Sequence, residues 1–413
     1  MQKIINQFEQ CKYFVFSKND ADYGKHENER QQKRISFIAY LYYLDTLPML
    51  SVYLNKLPRY IDVIIISSDE KALEGLRTLV KTQGTIKYIL KPNVGRDISA
   101  LLVTAKEYVM QSDYVCFVHD KKEHQCSNRI NETELWVHNI WENTIASEMY
   151  MENIIGFFNT NEEYGVLTVP KPIGLFFDTW AGQGWYGSFE ATKALAELLK
   201  LNVDITESIP PVTIGTALWF RSAALKKLFD FNWDYTDFND ERLCDGNYLS
   251  YAVERIFSYV AEDAGYKTGI IMTNEYAAEQ TLCAQNLMSI YVDSLNKLLG
   301  VTYGADCLQI LNKFDELKKE VSSVSDFYLY GAGKWGKVCL KLLRLIRKEP
   351  KGFAVTKKDD YNMIEGVPVM EINNIRDVNK NLLFIVTVSN PNAKKEIITV
   401  LKEKGFKYFC FWE

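Results

Sequence analysis

Two neighbouring segments carry residues of the types and spacing that bind an anion. The first reads KPNVGRDISALL over residues 91–102, and the second reads YVCFVHDKKEH over residues 114–124. In the first segment a turn opens a helix, where free backbone N–H groups and the helix dipole favour negative charge. In the second, a short apolar strand stops at polar residues. In open α/β sheets, phosphate groups are bound where the end of a strand meets the start of a helix.

The candidate anion-binding side chains lie in these two segments. They are Asn93, Gly95, Arg96 and Asp97 in the first segment, and His119, Lys121 and Lys122 in the second. Arg96 could add a charge-assisted hydrogen bond to a phosphate. The alternative is structural, with Asp97 as a helix N-cap and Arg96 as an ordinary surface residue.

Asp120 follows the apolar strand directly. Together with His119 it could ligate Mn²⁺ or Mg²⁺ through a diphosphate. Lys121 and Lys122 could instead replace a metal ion by direct charge. The structural alternative is a polar loop at the end of a strand.

The chain before these segments alternates between apolar strands and amphipathic helices. The predicted strands cover residues 34–43, 61–69 and 86–91. Alternation with short loops favours a doubly wound, mostly parallel sheet, whose ligand crevice lies at the carboxyl ends of the strands. Those ends add Tyr42, Ser67 and Asp69 to the candidate ligand-binding residues. Residues 1–33 are polar, and we expect a helix and a loose lead-in there.

Composition narrows the class of protein. A chain of 413 residues exceeds one ordinary core, so more than one domain is expected. With 47% hydrophobic and 24% charged residues it reads as globular, and a net charge of −5 with scattered Lys and Arg argues against nucleic-acid binding. The eight cysteines form no CxxC pair, which favours reduced thiols in the cytoplasm. No secretory signal or membrane span is read from the sequence.

The middle of the chain supplies further candidates. The stretch DTWAGQGWYGSF is a loop rich in glycine and aromatic residues. Its aromatic side chains Trp180, Trp185 and Tyr186 could stack on the ring of an acceptor substrate. Arg221 ends an apolar run and could bind a phosphate or pair with a carboxylate. A long helix is predicted from about residue 247, followed by a closing strand.

A second α/β unit begins near residue 322. A strand, a G-x-G-x-x-G turn at Gly331, Gly333 and Gly336, and a helix follow one another, which is the context of a nucleotide-binding fingerprint. A ribose-binding acid is expected about 20 residues further on. The chain instead has Thr356, Lys357 and Lys358 there, which disfavours NAD. These lysines could meet the 2′-phosphate of NADP.

Six segments in order resemble the rhamnan synthesis protein F family of bacterial polysaccharide glycosyltransferases. They are AYLYYLD, NVGRDISALL, the HDKK strand end, GVLTVP, GTALWFRSAALKKLF and DGNYLSYAVERIFSYVAEDAGY, and they span roughly residues 34–275. The resemblance implies a fold of the GT-A type and transfer of a sugar from a nucleotide-activated donor to a cell-surface glycan. In such enzymes the DxD motif that holds a divalent cation occupies the place of Asp120. The family usually reads His, Thr, Lys, Lys where this chain has His119 to Lys122.

The resemblance also implies candidates for the catalytic base. Asp245 begins the long helix, as the acidic motif does in many inverting GT-A enzymes, and Glu254 lies nine residues further on. A base would accept the proton of the acceptor hydroxyl. The structural alternatives are N-capping by Asp245 and an ion pair between Glu254 and Arg255.

The sequence therefore predicts a GT-A-like doubly wound, mostly parallel α/β sheet plus a small C-terminal Rossmann-like α/β domain. The predicted parts are a lead-in at 1–33, a glycosyltransferase domain at 34–275, a helical linker at 276–321 and the Rossmann-like domain at 322–413. The expected reaction is transfer of rhamnose or another hexose from a dTDP- or UDP-sugar, assisted by Mn²⁺ or Mg²⁺, to a glycan or lipid-linked acceptor. The expected location is the cytoplasm, either free or peripheral on the inner membrane face. The alternatives are an NADP-dependent oxidoreductase centred on the C-terminal domain and a non-catalytic scaffold of a capsule-assembly complex.

Overall fold

The structure is a computed structural model that describes most of the chain. The described residues are 12–22, 33–81, 84–122, 132–171, 185, 187–209, 211–213, 215–238, 248–300, 304–358, 362–376 and 382–412. The chain divides into two compact units, Met1–Ala284 and Gln285–Glu413. No helix within the described ranges has the length and apolar content needed to cross a membrane.

The first unit contains one sheet of eight strands. In chain order they are β1 (Lys12–Phe16), β2 (Ile35–Tyr40), β3 (Asp62–Ser67), β4 (Ile86–Leu90), β5 (Tyr114–His119), β6 (Tyr164–Thr168), β7 (Leu218–Arg221) and β8 (Lys267–Thr273). Across the sheet their order is β1-β8-β6-β7-β5-β2-β3-β4. All pairings are parallel except those that β7 makes with β5 and β6. The carboxyl ends of seven strands therefore share one edge.

Helices cover both faces of this sheet. They are α1 (Leu47–Leu54), α2 (Glu70–Leu79), α3 (Arg96–Ser99), α4 (Lys106–Met110), α5 (Glu132–Ile145), α6 (Glu148–Thr160), α7 (Phe189–Leu198), α8 (Lys226–Asp230) and α9 (Leu249–Asp263). A π-helical turn, Ala100–Thr104, joins α3 to α4, and 3₁₀ turns lie at Ser222–Leu225 and Tyr235–Phe238. Helix α10 (Asn274–Leu299) follows β8.

The two faces follow from the alternation of side chains along each strand. In β2, Phe37 and Ala39 point into one apolar cluster with α1, α5 and α6, whereas Ile38 and Tyr40 point into the other with α4, α7 and α9. Successive side chains of a strand point to opposite faces, so a strand that is buried on both sides reads as a continuous apolar run. The structure thus confirms the predicted doubly wound, mostly parallel sheet.

Two local expectations differ from the structure. The lead-in predicted at 1–33 contains β1, which pairs in parallel with β8 at the edge of the sheet. The aromatic residues of KYFVF fit this pleated edge better than a helix. Residues 134–158 have the spacing of one continuous helix, but they belong to two helices, because Ser147 accepts a hydrogen bond from the N–H of Tyr150 and caps a new helix there.

The second unit is a six-stranded sheet with helices on both faces. Its strands are β9 (Phe327–Tyr330), β10 (Gly352–Val355), β11 (Met363–Ile364), β12 (Val367–Glu371), β13 (Leu383–Val386) and β14 (Lys407–Cys410). The order is β11-β12-β10-β9-β13-β14, and only the pairing of the short β11 is antiparallel. The helices are α11 (Gly304–Ser322), α12 (Lys334–Leu345) and α13 (Pro391–Glu403), with a 3₁₀ turn at Ile372–Asn374. This is the predicted Rossmann-like arrangement.

The strand order reverses between β9 and β13, which makes this point the ligand crevice of such a sheet. The G-x-G-x-x-G turn lies at this point. Gly331 has a φ of +118°, and the Thr387 side chain donates to its carbonyl oxygen at 3.0 Å. A Cβ at Gly336 would lie 2.1 Å from that same carbonyl oxygen, whereas a Cβ at Gly333 would meet nothing within 4 Å. The nucleotide-binding role of these glycines stays a prediction.

The different surroundings of the two helix-side glycines make a matched test. Gly336→Ala should destabilise the second unit by about 1–3 kcal/mol, because the helix must move away from the turn to accommodate the methyl group. Gly333→Ala should change the free energy of unfolding by less than about 1 kcal/mol. Chemical denaturation of the full chain measures both. Equal effects of the two substitutions would contradict the close packing at Gly336.

Candidate functional site

Asp120 holds together two loops at the carboxyl edge of the first sheet. One of its oxygens, Oδ2, accepts hydrogen bonds from the backbone N–H groups of Tyr42 and Tyr43, both at 2.8 Å, and from the Thr46 hydroxyl at 3.3 Å. The residue is only 5% exposed. Burial raises the pKa of Asp120 to about 6, although the two N–H donors, His119 and Thr46 oppose this effect. The carboxylate therefore fixes the loop that follows β2.

The neighbours of Asp120 extend this junction. The Lys122 ammonium pairs with the Asp45 carboxylate at 2.6 Å, and this contact lowers the pKa of Asp45. Both side chains are about half exposed, so the pair contributes little stability. The His119 ring nitrogen Nδ1 lies 2.8 Å from the Asp120 carbonyl oxygen, and the Trp141 indole donates to the His119 carbonyl. Lys122 thus contacts the loop after β2.

Hydrogen bonds from Lys91 hold the turn after β4 in place. The buried Lys91 ammonium donates to the carbonyl oxygens of Pro92 and Val94, at 2.8 and 3.0 Å, and burial lowers the pKa of Lys91 to about 8. Gly95 has a φ of +67°, and a Cβ there would lie 2.7 Å from the Phe238 ring. Only glycine fits this position, because both the backbone conformation and the space exclude a side chain. Asn93 is exposed on the same turn.

This turn presents Arg96 and Asp97 to the carboxyl edge. The Arg96 backbone has a φ of +47°, a conformation that side chains other than glycine rarely adopt. The Asp97 atom Oδ2 is buried, and no hydrogen-bond donor among the described residues reaches it. Burial alone would raise the pKa of Asp97, but the charges of His119 and Arg96, together with the Thr216 hydroxyl and the backbone, lower the pKa. Asp97 is therefore an ionised carboxylate, and Oδ2 accepts no well-aligned hydrogen bond from the described residues.

Lys121 follows β5 and interacts with the charges of Arg96 and Asp97, with which it forms a cluster at the carboxyl edge. Its ammonium nitrogen lies 4.2 Å from the centre of the Trp136 ring. Although the residue as a whole is exposed, protein atoms crowd the ammonium, and this desolvation lowers the pKa of Lys121 against the opposing charges of Glu254 and Asp97. A desolvated ammonium interacts strongly with an anion that enters the same space.

Helix α9 contributes the opposite wall. The Tyr251 ring lies near two guanidinium groups, with the Arg96 carbon at 5.9 Å and the Arg255 carbon at 5.6 Å from its centre. Arg255 is 1% exposed and donates to the Glu254 carboxylate at 2.8 Å and to the Tyr251 carbonyl at 3.0 Å. Glu254 is 23% exposed and lies close enough to Lys121 to affect its pKa. Glu254 is thus ion-paired with Arg255 and also lies near Lys121, while its role as a base stays a prediction.

Thr216 completes the cluster from the loop before β7. The residue is fully buried, and its hydroxyl is close enough to the Asp97 carboxylate to interact with it, although the contact is not a well-aligned hydrogen bond. It lies beside Asp97, whose pKa it helps to lower. A Cβ at the preceding Gly215 would lie 3.0 Å from the Trp136 ring, which places this loop against α5. Sequence reasoning missed Thr216, Tyr251 and Trp136, although the first two lie in segments that carry the family resemblance.

Arg221 does not join the cluster. It ends β7, the antiparallel strand, and its register partner is Tyr114 at the start of β5. The end of an antiparallel strand lies at the opposite edge of the sheet. There the guanidinium donates to the carbonyl oxygens of Tyr164, at 2.8 Å, and Phe158. Arg221 therefore has a structural role, in place of the donor contact predicted for it.

Other predicted residues also have local structural roles. The Ser67 hydroxyl is buried and accepts from the Asp69 N–H, while the Asp69 carboxylate caps α2 by accepting from the Lys71 N–H. Trp185 is 7% exposed, its indole donates to the Glu207 carbonyl, and its ring lies parallel to that of Tyr259. It is a core residue and offers no face to an acceptor. Trp180, Tyr186 and Asp245 lie outside the described residues.

The Asp120 surroundings do not fit a divalent cation. Oxygen ligands of Mg²⁺ or Mn²⁺ must point their lone pairs at the ion. The Asp120 oxygen Oδ2 instead accepts two backbone N–H groups, and the residue is nearly inaccessible. Within the described ranges no three His, Cys, Asp or Glu side chains are placed to hold a metal ion.

The fold and the cluster define the class of protein. An open α/β sheet brings cationic, carboxylate and hydroxyl side chains from four separate elements to its carboxyl edge, which is where such sheets bind nucleotide-type ligands. The rhamnan synthesis protein F family model matches residues 2–266. The chain therefore belongs to the rhamnan synthesis protein F family, a family of polysaccharide glycosyltransferases.

Other comparisons are more distant. The crystal structure of residues 1–349 of S. aureus TarS is similar to the chain with 11% sequence identity and a TM-score of 0.29. The alignment covers 64% of this chain and 65% of that chain, so slightly less than two thirds of TarS 1–349 is spanned. A comparison with curated protein sequences finds no match.

The role of Asp120 can be tested through pH. Its pKa rises from 3.8 in the unfolded chain to about 6, so the folded state holds the proton more tightly. The contribution of Asp120 to the free energy of unfolding should therefore fall as pH rises from about 4 to about 6, by up to about 3 kcal/mol. Asp120→Asn should remove this part of the pH dependence, as measured by denaturation at a series of pH values.

Asp120→Ala is the companion variant. It leaves two buried N–H groups without an acceptor and should cost at least about 2 kcal/mol at neutral pH. A carboxylate that is free to bind a metal ion would give a different result, with little effect of either substitution on stability.

Proposed function

We propose that the chain transfers a hexose, rhamnose or another, from a UDP- or dTDP-sugar to a glycan or lipid-linked acceptor. One observation carries this proposal. The cationic side chains of Arg96 and Lys121 converge with the ionised Asp97 at the carboxyl edge of the sheet, in a member of a polysaccharide glycosyltransferase family. A nucleotide sugar carries the matching groups, since its diphosphate is anionic and its sugar hydroxyls are hydrogen-bond donors.

In this proposal Asp97 recognises a hydroxyl group of the donor. An ionised carboxylate only accepts hydrogen bonds, and it repels phosphate. Its open oxygen therefore suits a hydroxyl or N–H donor of the nucleotide sugar, while Arg96 and Lys121 suit the diphosphate. The phosphate contact that the sequence suggested for Asp97 thus becomes a hydroxyl contact.

The base that accepts the acceptor proton remains Asp245 or Glu254. One oxygen of the Glu254 carboxylate accepts from the buried Arg255 guanidinium at 2.8 Å. An engaged carboxylate is a poorer proton acceptor, which favours Asp245. Glu254 then acts as a positioning residue that orders the wall of the cleft.

Donor turnover tests the function directly. The purified chain should release UDP or dTDP from one member of a panel of nucleotide hexoses, and an added acceptor should increase the rate. Asp245→Asn should reduce the rate about 100-fold or more, whereas Glu254→Gln should reduce it less. Absence of turnover with every donor would contradict the proposal and would favour the scaffold alternative.

Asp97 can be tested by a ratio of affinities. Asp97→Asn removes the charge-assisted acceptor but also a repulsive charge. Affinity for the nucleotide sugar should therefore fall relative to affinity for inorganic pyrophosphate, by at least about tenfold. Calorimetry measures both ligands on both proteins. An equal loss for the two ligands would indicate that Asp97 only maintains the fold.

The second candidate function concerns the C-terminal unit. The close approach of Gly336 to the Gly331 carbonyl is the packing that a dinucleotide fingerprint needs, and Thr356 and its two lysines follow β10 as expected. Thermal unfolding with NADPH and with nucleotide sugars separates the candidates. A large stabilisation by NADPH and none by any nucleotide sugar would favour an NADP-dependent oxidoreductase.

A further inference from the structure

The cluster at the carboxyl edge contains positive charge where the sequence suggested a metal ion. Arg96 and Lys121 come from two different loops, and the pKa of Lys121 responds to the charges of both Arg96 and Arg255. Arg255 is almost fully buried, and its Nε has no hydrogen-bond partner among the described residues. Buried cations are costly unless an anion compensates them. In this cleft Glu254 and Asp97 supply only part of that compensation.

One oxygen of the carboxylate that would hold a metal ion is meanwhile engaged by backbone donors. Asp120 Oδ2 accepts hydrogen bonds from Tyr42 and Tyr43, and the residue is nearly inaccessible. A cation bound there would have to displace these contacts and open the loop after β2. Asp120 therefore organises the loop after β2, and the positive charge comes from other residues.

We propose that Arg96 and Lys121 neutralise the donor diphosphate directly, so that sugar transfer by this chain needs no divalent cation. This inference rests on the proposed glycosyl transfer. Arg96 forms hydrogen bonds in a fixed fork, and Lys121 contributes a point charge. Arg255 donates to the Tyr251 carbonyl, and the Tyr251 ring lies near the guanidinium groups of both Arg96 and Arg255.

The step balances without a metal ion. The bond between the anomeric carbon and the phosphate oxygen breaks, and its electron pair goes to the leaving diphosphate. The acceptor oxygen forms the new bond to the anomeric carbon, and its proton goes to the base carboxylate, Asp245 or Glu254. Arg96 and Lys121 stabilise the negative charge that develops on the diphosphate. No oxidant or further reactant is needed.

The first experiment measures donor turnover by the full chain after removal of metals with EDTA. The rate should agree within about twofold with the rate in added Mn²⁺ or Mg²⁺. Loss of activity in EDTA, with recovery in Mn²⁺ or Mg²⁺, would overturn the inference while leaving the proposed glycosyl transfer intact.

Substitutions then locate the charge. Lys121→Gln and Arg96→Gln should each lower kcat about 10- to 100-fold, and added Mn²⁺ should not restore it. Lys87→Gln is the matched control, since the Lys87 ammonium also lies over an aromatic ring, that of Tyr108, at 4.7 Å. It should leave kcat unchanged. Full rates in the Lys121 and Arg96 variants would contradict the assignment.

A binding measurement keeps the inference testable if no donor is found. Inorganic pyrophosphate should bind to the full chain in EDTA, and Lys121→Gln should weaken that binding about tenfold or more, while thermal unfolding shows that the variant is folded. If no nucleotide sugar is turned over, the proposed function fails but this result still locates the anion site. Pyrophosphate binding that requires Mg²⁺, or that is unchanged in Lys121→Gln, would contradict the assignment of this anion site.

Discussion

The hydrogen bonds between the Asp120 carboxylate and two backbone N–H groups are the contact on which the site depends. They join the end of β5 to the loop after β2, and the Asp120 N–H also donates to the Tyr40 carbonyl at 3.1 Å. They help to fix the position of the residues that follow β5, including Lys121. A buried carboxylate is costly, and here backbone donors offset the cost by satisfying one oxygen twice.

The charges of the cleft form a second layer built on that junction. The Lys91 ammonium holds the turn after β4 in place by donating hydrogen bonds to two of its backbone carbonyl oxygens. Arg96 and Asp97 are then presented on a backbone that only Gly95 permits. Cations and a carboxylate meet in partly desolvated surroundings, where each interaction is stronger than in water. The cluster therefore combines cationic groups with a carboxylate, which is the combination on which the proposed recognition of a nucleotide sugar depends.

The sequence predicted the elements better than the side-chain roles. Buried strands such as β2 and β5 are continuous apolar runs, so their positions, and the polar residues after them, could be predicted from pattern alone. Arg221 could not be placed, because the local sequence does not reveal that β7 runs antiparallel to its neighbours. For the same reason Thr216 was missed, since an antiparallel strand contributes the residues before it to the carboxyl edge.

Burial also separated similar residues in ways that the pattern did not show. Trp136 and Trp185 are both aromatic residues near polar segments, but one lies under the Lys121 ammonium and the other is packed in the core. Asp120 and Asp97 both lie beyond the carboxyl end of a strand. Only the three-dimensional contacts show that the first is satisfied by backbone donors, whereas the second keeps an open oxygen.

The π-helical turn Ala100–Thr104 has a consequence for comparing relatives of this chain. The Ala105 N–H bonds to the Ala100 carbonyl, so this turn contains one residue more than an α-helical turn. A relative that lacks one residue here would continue as a regular α-helix, and the positions after the turn would keep their faces, because the wide turn absorbs the extra residue. Its Val109 equivalent would therefore stay in the core. Alignments of the family should place a length difference of one residue within residues 100–104, where it leaves both the preceding turn and the following helix in place.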